Sequence, residues 1–239
     1  MAKRTGVLLI HGFTGSPAEM SWLAGELLAR DFVIRLPRLC GHARHPEDLL
    51  QCTYRDWIGD VVNQYEALSA HVDRLYVIGL SMGGALALYL AARYDFDGVV
   101  ALSAPYRLSP VKEWEAKWLH FAIPWLVKKD GPDIRDQEAK SRLNSYYRYP
   151  TRAAIQLFEL LKLVRMEIPR IRMPALIMHS YLDHVVPPEN ARQIYQHLAS
   201  KHKKLIWLRQ SYHIITMDVE KEKVLAEILA FIHEKPTDV

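Results

Sequence analysis

The chain is poor in cysteine, and this limits how it can be held together. Only Cys40 and Cys52 occur among its 239 residues, and no CxxC or Cys/His spacing typical of a metal site is present. Two thiols are too few to staple a domain of this size. We therefore interpret both as small buried hydrophobic residues in a reducing compartment and expect no metal.

Long apolar runs are missing as well. The N-terminal stretch MAKRTGVLLIHGF has a basic start, but its apolar run is only VLLI, which is too short for the core of a signal peptide. No other stretch is long enough to span a bilayer. These absences predict a cytoplasmic protein without stable membrane insertion.

Neither sign of charge dominates the chain. The 31 Lys and Arg residues are spread beside 27 Asp and Glu residues, which gives a formal net charge of +4. The densest basic run, KHKK at 201–204, directly precedes an apolar strand pattern and is interpreted as a solvated strand entry. Since no basic stripe interleaved with aromatic residues occurs, we expect no nucleic-acid partner.

Short β-branched runs alternate with longer helical patterns, which indicates an α/β fold with a mostly parallel central sheet flanked by helices. Helical spacing predicts helices over 53–68, 82–94 and 188–199. Asp218 precedes a long amphipathic C-terminal pattern and is predicted to be its N-cap. The runs that predict strands are 5–10, 32–36, 74–79, 98–102, 175–180 and 204–208.

One long segment breaks this alternation. Between Pro105 and Ile171 no run indicates a strand, whereas helical patterns do occur, and a structureless loop of this length is rare in a compact domain. Its tryptophans either pack this segment onto the sheet or have another role: Trp114, Trp118 and Trp125. The predicted division is a core at 1–104 and 172–239 and a small helical cap or lid at 105–171.

The stretch VIGLSMGGAL at 77–86 contains the pattern G-x-S-x-G where a predicted strand meets a predicted helix. In a nucleophile elbow, Ser81 adopts a strained backbone conformation, which requires small neighbours such as Gly79 and Gly83. The helix that follows directs its first amides toward an oxyanion. The pattern by itself also fits a glycine-rich packing turn, and Gly84 stays open between packing and catalysis.

A nucleophilic serine requires a base, an acid that orients the base, and two oxyanion donors. His213 follows the last predicted strand, and Asp183 follows the strand before it, in the chain order of this fold class. In the loop HGFTGSP after the first strand, the amide of Phe13 can donate beside that of Met82. The sequence therefore predicts Ser81 as nucleophile, His213 as base and Asp183 as the orienting acid.

Other histidines receive less specific interpretations. His11 is expected to hydrogen-bond the loop that carries Phe13, and the side chain of His184 is expected to point away from the catalytic residues. His42 and His45 have no cysteine or carboxylate pattern beside them, so we expect solvated side chains and not metal ligands.

Five stretches together resemble a known family: VLLIHGFTGSP, LPRLCGH, GLSMGG, DHVVPPENA and SYHIITMD. They are similar to the bacterial α/β-hydrolase-fold carboxylesterases of the monoacylglycerol lipase type. The resemblance implies Ser81, Asp183 and His213 as the triad, Phe13 and Met82 as oxyanion donors, and a small helical cap over the acyl pocket. We expect no cofactor, a small-molecule acyl ester or monoacylglycerol substrate, and a monomer or homodimer.

The expected activity is hydrolysis of short-to-medium-chain acyl esters by a serine carboxylesterase, with monoacylglycerol lipase activity as an alternative. Lipases of this type contact the glycerol end through an acidic cap residue, for which AKSRLNSYYRYP at 139–150 has no clear counterpart. One triad also serves thioesterases, peptidases and carbon–carbon hydrolases. An alternative of another class is a ligand-sensing receptor that turns over slowly or not at all.

Overall fold

A computed structural model describes residues 4–128 and 130–234. The ends of the predicted core, residues 1–3 and 235–239, lie outside the described residues. The strands are β1 (Thr5–Ile10), β2 (Val33–Arg35), β3 (Arg74–Leu80), β4 (Gly98–Leu102), β5 (Trp125–Val127), β6 (Arg148–Pro150), β7 (Ala175–Ser180) and β8 (Lys203–Leu208). The helices are α1 (Ala18–Leu28), α2 (Tyr54–Ser69), α3 (Met82–Ala91), α4 (Pro110–Leu119), α5 (Gln137–Arg142), α6 (Thr151–Glu167), α7 (Glu189–His197) and α8 (Lys221–His233).

Six strands form one sheet in the order β2-β1-β3-β4-β7-β8, and every pair in it is parallel. The six predicted strands are all confirmed, and each of their bounds lies within one residue of the predicted one. Because parallel strands in this arrangement end at one edge of the sheet, the loops after β1, β3, β7 and β8 meet there.

The two faces of the sheet bury alternate residues of each strand, as the period of two requires. On β1, Leu8 and Ile10 belong to a buried cluster with α2, α3, α6 and α7. Val7 and Leu9 belong to a second cluster with α1 and α8. Helices therefore cover both faces, as the alternation of sequence patterns predicted.

The predicted N-cap of the C-terminal helix is wrong. Helix α8 begins at Lys221, and its N-cap is Glu220, which makes no side-chain capping bond. Asp218 is fully buried, and its carboxylate accepts backbone amides of its own loop and of the segment that precedes α5. The carboxylate of Asp218 therefore satisfies several loop amides at a buried position, instead of capping the end of α8.

The segment 105–171 contains helices α4, α5 and α6 but also β5 and β6, which form an antiparallel pair. The expectation that it holds no strand is wrong, since strands of three residues are too short to show a period. Along α6, Leu160, Leu161 and Val164 are buried in the same cluster as strand residues of the sheet. The division into core and cap stays a prediction.

The packing interpretation of the tryptophans is wrong for two of them. Trp114 and Trp118 on α4 are 59% and 65% exposed, whereas Trp125 is half-buried and lies against the guanidinium of Arg148. Spacing of four residues places Trp114 and Trp118 on one helix face, but spacing does not tell which way that face points.

The interpretation of the two cysteines as separate buried hydrophobic residues is also wrong. Cys40 and Cys52 form a disulfide, with 5.9 Å between their Cα atoms. The chain after β2 turns at Gly41, where φ is +75°, and returns through a 3-10 helix at Pro46–Gln51. The bridge closes a local loop, so it needs none of the multi-cysteine framework that the sequence lacks.

Candidate active site

Ser81 lies at the junction of β3 and α3 with φ 55° and ψ −121°, a conformation that costs a residue with a side chain about 1–3 kcal/mol. Its amide is held by the carbonyl of Leu102 at 2.8 Å. A Cβ added at Gly79 would lie 1.9 Å from the carbonyl oxygen of Gly83, and one added at Gly83 would lie 2.2 Å from that of Ile10. Both glycines are therefore required by close backbone contacts around the strained serine.

His213 and Asp183 are brought together at the same edge of the sheet. Both are buried, and Nδ1 of His213 lies 2.7 Å from Oδ2 of Asp183. An ionised carboxylate only accepts, so Nδ1 carries the proton and Nε2 is left to accept one. This is the tautomer that a general base beside a serine needs.

The carboxylate of Asp183 is bound by further donors. Oδ1 accepts the amides of Val185 at 2.9 Å and Val186 at 2.8 Å, and Nε2 of the fully buried His179 lies 3.1 Å from Oδ2. Burial alone would raise the pKa of Asp183, but the charge of His213 and the hydrogen bonds from both histidines hold that pKa well below its usual range. Asp183 is therefore ionised at neutral pH.

The third link of a triad is open in this structure. Ser81 and His213 are both among the described residues, and no hydrogen bond joins them there. Catalytic hydrogen bonds in ligand-free sites are often long and tighten only with substrate. The role of Ser81, Asp183 and His213 as one triad stays a prediction.

The two predicted oxyanion donors remain available. Within the described residues, the backbone amides of Phe13 and Met82 make no hydrogen bond to another protein group. A Cβ added at Gly12, next to Phe13, would lie 3.3 Å from the Cβ of Ser81. The loop after β1 therefore lies directly against the serine, and the assignment of the two donors stays a prediction.

His11 holds this loop, as expected. Its Nε2 accepts the amide of Leu39 at 3.2 Å, so Nδ1 donates to the carbonyl of Gly12 at 2.9 Å. His42 is 1% exposed and stands edge-on to His11, so the expectation of a solvated side chain is wrong for it. Burial lowers the pKa of His11 to about 4 and, with the charge of His11, that of His42 to about 3. Both imidazoles are therefore neutral at physiological pH.

Glu19 is a buried carboxylate that the sequence reasoning missed. Its Oε2 accepts the amide of Gly12 at 2.9 Å, and the charge of Lys128 acts on it from the segment before β6. Burial raises the pKa of Glu19 and lowers that of Lys128. The only sequence signal was a glutamate two residues after the proline of HGFTGSP.

The pKa of His213 reflects all these neighbours. Burial by itself would lower it, but the charge and hydrogen bond of Asp183, together with the charges of Asp133 and Glu19, raise this pKa above its usual value. His179 could have been found in the sequence as a histidine that follows the apolar run ALIM within the predicted strand 175–180. Asp133 carries no local pattern that marks it, and the local pattern at Asp218 indicated a helix cap instead of a role beside the site.

Neither a metal centre nor a membrane-spanning helix is found among the described residues. Among residues 4–128 and 130–234, no three histidine, cysteine or acidic side chains are grouped so that they could hold a metal ion. Within the same residues, no helix has the length and apolar character needed to cross a bilayer.

A protein-family model described as Serine aminopeptidase, S33 (Hydrolase_4) matches residues 2–220. A thermostable monoacylglycerol lipase of Bacillus sp. (strain H-257) is 36% identical over 227 residues, covering 95% of this chain and 89% of the lipase. A carboxylesterase of Bacillus subtilis (strain 168) is 28% identical over 229 residues, covering 95% of this chain and 92% of the esterase.

A solved structure of a lipolytic enzyme is also similar to this chain. It comes from work on two metagenome-derived lipolytic enzymes, LipS and LipT, and superposes with a TM-score of 0.92 at 36% identity, covering 98% of this chain and 95% of that one. The central sheet with helices on both faces is therefore an α/β-hydrolase fold, as expected from the sequence.

Proposed function

This chain belongs to the Serine aminopeptidase, S33 (Hydrolase_4) family, and from that premise we propose that it is a serine carboxylesterase of short-to-medium-chain acyl esters. Ester hydrolysis agrees with the names of both Bacillus relatives. The observation that carries the proposal is the strained Ser81 at the strand–helix junction, at the same sheet edge as the hydrogen-bonded pair His213 and Asp183.

In the proposed reaction, Oγ of Ser81 attacks the ester carbonyl carbon while Nε2 of His213 takes the hydroxyl proton. Asp183 holds Nδ1–H and stabilises the imidazolium that results. The oxyanion is bound by the amides of Phe13 and Met82, each worth about 3 kcal/mol in the transition state. The carbon–oxygen bond to the alcohol then breaks, and His213 returns its proton to the leaving oxygen.

Water completes the cycle. His213 takes a proton from a water molecule that attacks the acyl-enzyme, and the ester bond to Ser81 breaks with return of that proton to Oγ. The product is a carboxylic acid, and every step uses protein groups and water alone. The acyl chain is proposed to lie between the sheet and residues 105–171.

Other substrates of the same triad stay in competition. Monoacylglycerol hydrolysis is favoured by the 36% identical lipase, and the name of the family keeps peptide-bond hydrolysis in view. Thioesters are a third class, and a slowly turning ligand-sensing receptor is the alternative outside the enzymes. We further propose a cytoplasmic protein that acts as a monomer or homodimer.

The direct test of the activity is Ser81→Ala assayed on p-nitrophenyl acyl esters. We expect kcat to fall by several orders of magnitude, because the remaining site can only position water. The circular dichroism spectrum should be unchanged and the unfolding midpoint unchanged or raised, because the substitution removes only the hydroxyl of Ser81 and the fold does not depend on it. Retention of turnover in the variant would refute the proposal.

A comparison of substrates on the wild-type enzyme tests which class of substrate is preferred. Matched oxygen ester, thioester, anilide and monoacylglycerol substrates of one acyl chain are compared by kcat/KM, followed by a chain-length series. We expect the oxygen esters to lead. A clear preference for monoacylglycerols assigns the lipase alternative, and turnover below about one per minute on all of them, against ordinary enzyme rates of about 10 per second, assigns the receptor.

A further inference from the structure

Asp133 contacts both loops that carry the proposed base and acid. It lies in segment 105–171, just before α5. Its backbone carbonyl accepts the amides of His213 and Ile214, each at 3.1 Å. Its carboxylate Oδ2 accepts the amide of His213 at 3.2 Å and the amide of His184 at 3.1 Å.

The two amides bound by the Asp133 carboxylate belong to the two loops that carry the proposed acid and base. His184 directly follows Asp183 in the loop after β7, and His213 lies in the loop after β8. One carboxylate oxygen therefore joins the backbone of the acid's loop to the backbone of the base. The side chain of His184 turns to Asp133 as well, with Nδ1 2.8 Å from Oδ1, away from Asp183 as the sequence predicted.

A second carboxylate, that of Asp218, binds backbone amides of the same junction. The buried Asp218, in the loop after β8, accepts the amides of Arg135 at 3.1 Å and Asp136 at 2.9 Å. It also accepts the amide of Tyr212 at 2.6 Å, directly before His213. Asp218 thus holds the short segment that presents Asp133, and the two loops and this segment form one hydrogen-bonded unit.

We propose that Asp133 is a positioning residue for the His213–Asp183 pair, which makes segment 105–171 a structural part of the catalytic machinery. The inference rests on the proposed function, because it assigns a role within that reaction. A base misplaced by about 1 Å can cost about 100-fold in rate. The carboxylate of Asp133 is a direct tie between both loops, beside the hydroxyl of Ser180 at the end of β7.

Asp133 also acts on His213 through its charge. The ionisable groups that face His213 are Asp183 from the loop after β7, Asp133 from segment 105–171 and Glu19 from α1, with His179 behind Asp183. All three carboxylates favour the imidazolium. Removing the charge of Asp133 therefore lowers the pKa of His213, and the base becomes neutral, hence active, at lower pH.

The test separates charge from geometry with two variants. Asp133→Asn keeps one oxygen for the two backbone amides and presents an NH2 group to Nδ1 of His184, so it removes mainly the charge. We expect its acidic limb of kcat/KM to move to lower pH, with a plateau kcat within about threefold of wild type. Asp133→Ala keeps the backbone carbonyl for the amide of His213 but loses the carboxylate that joins His184 to His213. We expect kcat to fall about 10- to 100-fold with little change in KM.

Asp136→Asn is the matched control. The carboxylate of Asp136 accepts the amide of Ala139 at 3.0 Å at the start of α5, three residues along the same segment from Asp133. A merely structural role of the segment would make both asparagine variants lose stability and leave the acidic limb in place. The proposal predicts that only Asp133→Asn moves that limb.

A readout without turnover keeps this inference distinct from the proposed function. The pKa of His213 is followed by NMR of its imidazole in both wild type and Asp133→Asn. A lower pKa in the variant supports the proposal whatever the substrate is. An unchanged pKa together with an unchanged acidic limb overturns it, and an active Ser81→Ala variant overturns the proposed function instead.

Discussion

Asp183 is bound by more donors than a single histidine supplies. Two backbone amides occupy Oδ1, and His213 and His179 share Oδ2. A carboxylate with four donors is held in one orientation, and each donor favours its ionised form. The same Nε2 of His179 lies 3.0 Å from the carbonyl oxygen of Val186, so one N–H is shared by two acceptors of the acid's loop and the ring is fixed between the strand and that loop.

At the residue scale we therefore predict that His179→Leu lowers kcat about tenfold with little change in KM. Leucine fills a similar volume but donates no hydrogen bond to Asp183, and tenfold corresponds to about 1.4 kcal/mol of transition-state stabilisation. His179→Gln retains a donor at the end of its side chain and should recover part of the loss. Both values are measured on the same p-nitrophenyl ester.

The matched control for this prediction is His197→Leu. His197 ends α7, and its ring stacks on Tyr106 outside the candidate site. Wild-type kcat in His179→Leu, or an equal loss in His197→Leu, would show that the donor to Asp183 has no catalytic part.

At the scale of elements, helix α3 owes its position to glycine. A Cβ added at Gly84 would lie 2.7 Å from the Cβ of Ala104 and 3.0 Å from the carbonyl oxygen of Gly79. Gly84 therefore serves the close approach of α3 to the chain after β4, which decides the question that the sequence left open in favour of packing.

We predict opposite signs for one substitution in two helices. Gly84→Ala should lower the free energy of unfolding by about 1–3 kcal/mol, because the core cannot take the methyl group without moving. Gly59→Ala in α2 meets nothing within 4 Å and should raise it by about 0.5–1 kcal/mol, the gain in helix propensity. Urea unfolding measures both, and a stabilising Gly84→Ala would contradict the packing account.

The elements also show what a sequence can and cannot predict. Strands that are buried on both faces, such as GVVAL at 98–102, can be predicted from the sequence because every residue is apolar. Helix α4 shows what the sequence cannot predict. The spacing of Trp114 and Trp118 places them on one face of the helix, but it does not tell whether that face points to the core or to solvent. Asp218 was assigned to a helix end because a cap is a local pattern, whereas two of the residues it binds, Arg135 and Asp136, lie 83 and 82 residues earlier in the chain.

At the scale of the whole molecule, order along the chain was enough to predict Ser81, Asp183 and His213 as one site, and the structure joins two of them, Asp183 and His213, by a hydrogen bond. A parallel sheet brings the ends of its strands to one edge, so three loops distant in sequence become neighbours. Glu19 and Asp133 were missed because their contacts depend on how α1 and segment 105–171 fold back over that edge, and no spacing rule reports such contacts.

The disulfide belongs to this scale because it bears on stability and compartment together. Closing a loop of this length is worth about 3 kcal/mol in the chain-entropy model. We predict that replacing Cys40 and Cys52 together by serine lowers the free energy of unfolding by about 2–3 kcal/mol. Activity should remain, because neither cysteine contacts Ser81, His213 or Asp183.

Reduction of the wild-type protein provides the control for this prediction. A reducing agent should lower the unfolding midpoint of the wild type and leave the double serine variant unchanged. Mass spectrometry after alkylation without reduction counts the free thiols. An intact bridge in protein taken directly from the cell counts against the cytoplasmic proposal, and two free thiols there support it. An equal midpoint with and without the bridge would contradict its role in stability.

The central claim is that Ser81 is the nucleophile of an ester hydrolase, and covalent labelling measures this most directly. A fluorophosphonate forms a stable bond to an activated serine and to no ordinary one. Incubation with the wild-type protein should give one adduct per chain, on the peptide that contains Ser81, in step with loss of esterase activity, and Ser81→Ala should take up none. An adduct on a different residue, or full inactivation without an adduct at Ser81, would contradict the account.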